Sequence, residues 1–534
     1  MADGSRSSRD HTPAARARPF WTRLLMPSIS DTIFIALLVL LTCTSLSVRL
    51  LGDAGIGWHI RTGQQILHTH AIPRVDPFSS TMGGKPWYAW EWLYDLLVGQ
   101  LDATLGLNGV VWFTAVAIAA AFAAMFCWLM RRGTNLLVAL VLTMLAVSAS
   151  TIHFLARPHV LTWLFVLVWF CLLDTTEQEG FHNRSPARAG KLWLLPLLMV
   201  VWVNVHGGFL FGFVLLGIYW LAALWAWART REERLEDALT RSAARKRTTQ
   251  LIQVGLLSVA ASFANPYGWK LHAHIYSYLS NRFLMDHIEE FKSPNFHGSA
   301  QKCFLLLLLI TVAALALRGR ELRTSHVLIV LFAVYAGLYS SRNIPVASIL
   351  LTLVTAPLIS IPALDFLFLK RMTAFQSRLR GHCWPILAII TTFLVAANGG
   401  RIGSNQLMNA HFDPNRMPVA AVDYLEQHEL KSPVLSPDFW GGYLIYRLYP
   451  GTRVVVDDRH DLYGADFFQS YLKLMHGEPG WQDFLRDHPA ECALLPKSSP
   501  LATPLQQTGW IAIYQDDTAI LLIRAAALRT GSKE

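Results

Sequence analysis

Long apolar runs separated by short loops restrict this chain more than any other feature. Ile33–Leu46, Val110–Met130, Phe304–Leu317 and Val327–Leu338, with their uncharged flanks, approach or reach the roughly 20 residues an α-helix needs to cross the hydrocarbon of a bilayer. Of the 534 residues, 53% are hydrophobic and 15% charged. A soluble chain of this length carries about a quarter charged residues. The pattern predicts a polytopic α-helical membrane protein.

Loop charge assigns the faces. The net charge of +10 would suit a nucleic-acid binder, but the basic residues recur at alternate loops. They are Arg131-Arg132, Arg184/Arg188/Lys191, the run Arg229–Arg247, Arg318/Arg320/Arg323 and Lys370/Arg371/Arg378/Arg380, with Arg6, Arg9, Arg16, Arg18 and Arg23 before the first run. Cytoplasmic loops collect Lys and Arg, so the excess reads as topology, and no nucleic-acid partner is expected. Hydropathy and loop charge together predict about eleven spans. They fall near 31–50, 109–130, 135–152, 159–174, 192–204, 209–228, 251–264, 303–317, 325–340, 344–362 and 383–398. The segment 192–204 is short and forms a tight pair with 209–228; one long span there would turn Arg229–Arg247 outward. The expected organisation is a cytoplasmic tail over 1–30, a multi-span domain over 31–398 with long external loops 52–108 and 265–300, and an extracytoplasmic domain over 399–534. No small-residue cleavage site follows the late first apolar run, so a cleavable signal is not expected. The sequon Asn183-Arg184-Ser185 falls in a predicted cytoplasmic loop and is expected to stay unmodified.

Under this threading the loops Asp53–Trp92, His153–His159, Asn204–Gly208, Asn265–His297 and Ser341–Asn343 share the outer face. They hold nearly every polar residue suited to chemistry. Within the first loop, Trp92, Leu93, Leu96, Leu97 and Leu101 recur at helical spacing with Asp95 and Asp102 off the stripe, which predicts an amphipathic helix lying on the membrane over Ala89–Leu105. Beyond 399 charge returns and apolar runs shrink to strand length. Strands are expected at Val434–Ser436, Arg453–Asp457 and Cys492–Leu495, and a hairpin at Ile511–Tyr514/Ala519–Ile523. Helices are expected at Trp440–Leu448, Phe467–Met475 and Trp481–Asp487, making a small α/β domain. Of six cysteines only Cys492 lies in that domain, so no disulfide framework is expected. No Cys/His spacing matches a zinc site, and no metal ligand is assigned.

Most candidate site residues carry two readings. Asp53, directly after the first span, is either a helix-end cap or a partly desolvated general base that takes a proton from an acceptor hydroxyl. Asp76, in Asp76-Pro77, reads on its own as a turn residue. Glu91, between Trp90 and Trp92, belongs either to an interfacial aromatic belt or to a sugar or metal site. Arg157 and Arg342 sit in short external loops otherwise poor in Arg; they snorkel to headgroups, or they bind a lipid phosphate. His59, Arg61, His159, Asn204, His206 and Asn265 either end helices or line a polar cavity.

Taken in order, these segments resemble bacterial polytopic proteins related to the GT-C glycosyltransferases. The likeness rests on Gly52-Asp53, Trp58-His59, Thr62-Gly63, Pro73-Arg74-Val75-Asp76-Pro77-Phe78-Ser79 and Glu91-Trp92-Leu93. It continues through Ala156-Arg157-Pro158, Asn204-Val205-His206-Gly207-Gly208, Asn265-Pro266-Tyr267-Gly268 and Ser341-Arg342-Asn343-Ile344-Pro345, and in the tail through Trp440-Gly441-Gly442-Tyr443-Leu444 and Val456-Asp457-Asp458-Arg459. The resemblance implies a GT-C-like fold in the bacterial inner membrane and sugar transfer on the outer face from a polyprenyl-phosphate or -diphosphate donor. Asp53 then serves as base, Asp76 and Glu91 as further carboxylates, and Arg157 and Arg342 as phosphate ligands. Expected partners are the lipid-linked donor, membrane lipids and an acceptor of unassigned class. The cofactor is unassigned too, since a divalent metal is used by some members of the superfamily and not others. No Trp-Trp-Asp-Tyr-Gly-type motif is present, which argues against transfer to asparagine. Two other functions compete: a lipid-linked-glycan flippase, which calls for charges near the span midplane, and a non-catalytic envelope assembly or binding protein whose tail does the work.

Overall fold

The structure, a computed structural model, describes residues 25–182, 186–230, 235–359, 367–376, 379, 383–428 and 432–525. The tail up to residue 24, with its five arginines, lies outside the described residues, as do the sequon 183–185, Arg378 and Arg380. Among the described residues six helical segments are long and apolar enough to cross a membrane: Trp92–Arg131, Leu136–His153, His159–Gln178, Gly207–Arg229, Ser299–Glu321 and Ser341–Leu358. Shorter apolar helices stand beside them at Ile29–Cys43, Gly190–Trp202, Thr324–Tyr339 and Cys383–Ala397.

Local chemistry sets where these helices begin and break. Ser28 opens the first with a capping box: its hydroxyl accepts from Asp31 N at 3.1 Å, and the Asp31 carboxylate accepts from Ser28 N at 2.8 Å. The segment expected as one span over 31–50 divides into Ile29–Cys43 and Leu46–Leu50. Between them Thr44 is extended, donates to Leu40 O at 2.6 Å and accepts from Leu46 N at 3.2 Å. A side chain that bonds the backbone on both sides competes with the helix ladder, and here it replaces it.

The helix expected over Ala89–Leu105 starts at Trp92 and ends at Gly106, whose φ of +62° and ψ of −163° are not helical and divide it from the span that runs on to Arg131. Its Asp95 is buried, not solvated. The helix Ile56–Thr69 crosses it backbone to backbone: a Cβ on Gly99 would lie 2.6 Å from Gln64 N and Gly63 C. Two glycines permit that approach, and the approach sinks Asp95 against His59.

The tail forms a four-stranded sheet of β1 (Val434–Leu435), β2 (Cys492–Pro496), β3 (Trp510–Gln515) and β4 (Ala519–Arg524), in the order β1-β2-β4-β3. β1 runs parallel to β2 and the remaining pairs are antiparallel, with Val434 opposite Cys492 and Leu494 opposite Leu521. The β3–β4 hairpin closes on Asp516, whose Oδ1 accepts from Thr518 N and Ala519 N at 2.7 Å each. Arg453–Asp457, expected as a strand, makes only single bridges, from Val454 to Val434 and to Ser79. Its next residues turn into a buried ion cluster before a ladder can form.

Leu435, Leu495, Leu522, Phe468, Tyr471 and Trp481 give the tail its own core. Trp440, Tyr443, Leu444 and Leu494 instead join the apolar core of the spans. Helix Asp438–Leu448 lies on Ile56–Thr69 at a second glycine crossing: a Cβ on Gly57 would overlap Gly442 O, and one on Gly442 would lie 2.6 Å from Ala54 C. The tail is thereby seated on the first long loop. At the far ends of the same helices Asp174 meets Arg132, Arg323 and His326, and Glu177 accepts from Arg323 at 2.5 Å and Ser325 at 2.7 Å. One end of the bundle therefore collects the basic loops and the other the candidate site.

Candidate functional site

Asp53 lies in the turn after Leu46–Leu50, where its Oδ1 accepts from Gly55 N at 2.8 Å. The same oxygen accepts from Arg157 Nη1 at 3.1 Å. That guanidinium nitrogen also donates to Asp458 Oδ2 at 2.9 Å, and Trp58 Nε1 donates to Asp458 Oδ1 at 3.0 Å. Arg157 thus joins three segments far apart in sequence. Burial, with Asp53 and Asp457 adding and Arg157 opposing, pushes the Asp458 carboxyl up to about 6. Asp53 keeps 34% of its side chain exposed against 15% for Asp458, so Asp53 is the carboxylate of this pair that an incoming molecule meets.

Glu91 is buried between two imidazoles. His59 Nε2 lies 3.7 Å from its Oε2, and His206 Nε2 3.7 Å from its Oε1. Burial is the main cause that raises the Glu91 carboxyl to about 7; Arg157 and Arg342 oppose it, and Asp461 and Glu290 reinforce it. Behind His59, Asp95 Oδ1 lies 2.5 Å from Nδ1. His59 Nε2 and Asp95 Oδ2 are buried without a hydrogen-bond partner.

His206 has a defined tautomer. Gly208 N–H donates to its Nδ1 at 3.0 Å. Thr162 Oγ1 lies 2.9 Å from Nδ1 and itself accepts from Trp202 Nε1 at 3.0 Å, which directs the hydroxyl proton to Nδ1. Nδ1 is then an acceptor and the ring proton sits on Nε2. Burial, with Arg342 and His159 adding, holds His206 well below the usual imidazole range, so the ring is neutral. Nε2 lies 3.3 Å from Arg342 Nη2. With the ring proton on Nε2 the pair is donor beside donor, so neither nitrogen satisfies the other. Arg342 is anchored by Nη1 donation to Glu290 Oε1 at 2.8 Å and lies over the Phe291 ring at 5.3 Å. His159 belongs to the same wall, donating from Nε2 to His153 O at 2.9 Å, and His153 reaches Ser341 O at 3.1 Å.

Asp53, Glu91, Arg157, Arg342, His59, His159 and His206 therefore come together, while four other candidates do not. Asp76 is fully buried; it accepts from Arg459 Nη2 at 2.8 Å, Phe78 N at 3.1 Å and Ser79 N at 3.0 Å. Arg459 also binds Asp457, at 2.7 Å, and lies over Trp87 at 4.6 Å, which clamps loop to tail. Arg61 donates to Tyr446 O and to Gln64. Asn204 accepts from Trp92 Nε1 at 2.7 Å and donates to Val200 O and Ala264 O. Asn265 caps its own turn by accepting from Tyr267 N at 2.8 Å. Sequence reasoning passed over Asp458, Glu290, Asp95 and His153. Asp458 and Glu290 stand in charged segments where one more carboxylate carries no signal. Among the described residues no three His, Cys, Asp or Glu side chains converge to hold a metal ion.

No family model matches the chain, and no curated protein matches it. Solved structures do. The oligosaccharyltransferase AglB from Archaeoglobus fulgidus, solved with an inhibitory peptide and a dolichol-phosphate, aligns at 10% identity over 88% of this chain and 69% of its own, with a TM-score of 0.54. The Archaeoglobus fulgidus oligosaccharyltransferase tethered to an acceptor peptide aligns at 11% identity over 93% and 74%, with a TM-score of 0.56. ArnT from Cupriavidus metallidurans, solved with undecaprenyl phosphate, aligns at 14% identity over 94% and 97%, with a TM-score of 0.46. The chain shares the polytopic helical fold of these two oligosaccharyltransferase structures, and ends in a small sheet domain.

Proposed function

We propose that this chain is a membrane glycosyltransferase that moves a sugar from a polyprenyl-phosphate-linked donor to an acceptor on the extracytoplasmic face. The observation that carries the reading is the pairing of Arg342 Nη2 with His206 Nε2–H, 3.3 Å apart, in the same cluster of side chains as Arg157 and Asp53. A guanidinium beside a neutral ring N–H is a donor set for a phosphate oxygen. The fold shared with AglB, solved with a dolichol-phosphate, agrees with that ligand class.

The chemistry follows from location. A polyprenyl tail is too apolar to leave the bilayer and its phosphate too polar to enter, so the reaction belongs at the mouth of the spans. The donor phosphate sits against Arg342 and His206, and Arg157 adds positive potential while holding Asp53 in place. Asp53 accepts the proton of the acceptor hydroxyl as its oxygen bonds the anomeric carbon. The bond from that carbon to the phosphate oxygen breaks, and the electron pair leaves on the phosphate, where Arg342 and His206 meet the developing charge. In this reading Asp76, Arg61, Asn204 and Asn265 hold loops and tail in register and do not touch substrate.

Charge placement favours a transferase over a flippase. The acidic and basic side chains described above lie at the ends of the helices and in the loops, not midway along the spans where a transporter carries its charges. The deciding experiment reconstitutes the protein in liposomes with a radiolabelled polyprenyl-phosphate sugar and an envelope extract as acceptor. Label moving covalently from lipid to acceptor supports the reading. Label that crosses a liposome membrane while still lipid-linked rejects it in favour of a flippase.

A further inference from the structure

Glu91 stands where an anionic donor should not tolerate it. Its Oε1 is 3.7 Å from His206 Nε2, the atom assigned above to the donor phosphate. An ionised carboxylate there repels the phosphate; a protonated one donates to it. Behind Glu91 a buried row continues through His59, whose Nε2 faces Glu91 at 3.7 Å and whose Nδ1 contacts Asp95 at 2.5 Å. His59 Nε2 and Asp95 Oδ2 have no other partner. Two carboxylates joined through the two nitrogens of one imidazole form a path along which a proton can move by tautomer exchange. We propose that Glu91 is a protonation-dependent ligand of the donor phosphate, and that His59 and Asp95 are positioning residues that store its proton and deliver it when the anion arrives. This rests on the donor class proposed above.

The exchange balances. The Asp95 O–H and His59 Nε2–H bonds break while the His59 Nδ1–H and Glu91 O–H bonds form, so one proton moves from Asp95 to Glu91 and the ring ends neutral. The 3.7 Å gap exceeds a hydrogen bond, so the carboxyl must close on the ring before the proton moves. The charged and titratable groups facing Glu91 are His59 and Asp95 from the first long loop and its helix, His206, Arg157, Arg342, Glu290 and the tail's Asp461. The two arginines are matched by Asp53, Asp458 and Glu290. That leaves Glu91 without a cation of its own, in keeping with its raised carboxyl.

The test is binding of a short-chain polyprenyl monophosphate to the full-length protein in nanodiscs, by calorimetry from pH 6 to 9, for wild type, Glu91→Gln and Asp95→Asn. The Gln amide donates at every pH, so the ratio of wild-type to Glu91→Gln affinity cancels the ligand's own titration. That ratio should be near one at pH 6 and fall up to tenfold per pH unit once the stored proton is lost. Asp95→Asn should move the fall to lower pH, because Glu91 then depends on bulk protons. A ratio flat across pH overturns the proposal while leaving the donor assignment standing. A fall that Asp95→Asn leaves in place overturns the relay. No binding to the wild type at any pH overturns both this proposal and the donor assignment.

Discussion

Asp53 is held between Gly55 N and the Arg157 guanidinium with about a third of its side chain open, at 34%. Its candidacy could be raised from the sequence, where a carboxylate directly follows an apolar span, whereas the pairing of Asp95 with His59 across 36 residues has no sequence signature. The Asp53 assignment makes a direct prediction. Asp53→Asn keeps the acceptance from Gly55 N and the contact with Arg157, so folding and insertion persist. Losing a general base should lower kcat by about 10²–10⁴-fold, read in the liposome transfer assay at saturating donor. An unchanged kcat would return Asp53 to a capping role. Glu91 supplies a second prediction, on stability. Its carboxyl titrates at about 7 in the folded protein against an ordinary 4.5. The native state therefore binds the extra proton between those values. The stability that proton contributes is complete below about 4.5 and lost as pH rises through 7, a difference of about 3 kcal/mol. Glu91→Gln removes this dependence, so its melting temperature should rise relative to wild type between pH 5 and pH 8. Parallel melting curves at both pH values would contradict it.

At the scale of elements, each of the eleven predicted segments holds a helix among its described residues, since apolar runs of that length leave few alternatives; 360–362, the end of the tenth, lie outside the described residues. Most strands and helices of the tail were legible from alternation and turn residues, down to the Asp516-Asp517 hairpin, but Arg453–Asp457 forms no ladder and the helices Val419–Gln427 and Ala502–Gln507 were not expected. What periodicity could not give was how elements cross. Gly63 and Gly99, and Gly57 and Gly442, are small residues in stretches with no shared motif, yet they set the two closest helix approaches at the site. Gly442→Ala tests this. Its methyl would press on the Ala54 and Gly55 backbone, immediately beside the Asp53 turn. Overpacking costs about 1–3 kcal/mol, and here relief requires moving Asp53 away from Asp458. The expected result is lower thermal stability together with a fall in transfer activity larger than the stability loss explains. A variant that loses stability but keeps full activity would detach the crossing from the site.

For the whole molecule, charge asymmetry marked the two ends of the helical bundle, but the seating of the tail had no sequence signal, because it is made by contacts hundreds of residues apart. Ser80 N donates to Val454 O at 2.8 Å, and Arg459 bridges Asp76 and Asp457 in a buried cluster. Removing that cation with Arg459→Met strands two buried carboxylates, at a cost of about 3–5 kcal/mol, and should loosen the tail enough for limited proteolysis to release it. The proposed reaction also requires the whole site to lie in one compartment. Lys85, Ser293 and Lys497 are exposed on the loops and tail that build or adjoin the site, while Arg131 and Glu321 are exposed at the other ends of the helices. Single cysteines at these five positions, in a background lacking the six native ones, should divide cleanly under a membrane-impermeant maleimide applied to right-side-out vesicles. Positions 85, 293 and 497 should label at once, and 131 and 321 only after permeabilisation. Labelling that split 85, 293 and 497 between compartments would separate Asp53 from Arg342 and Asp458, and a transfer reaction shared among those groups could not occur. Labelling of all three only after permeabilisation would keep the site whole and move it to the cytoplasmic face, where the donor would have to be presented from the inner leaflet.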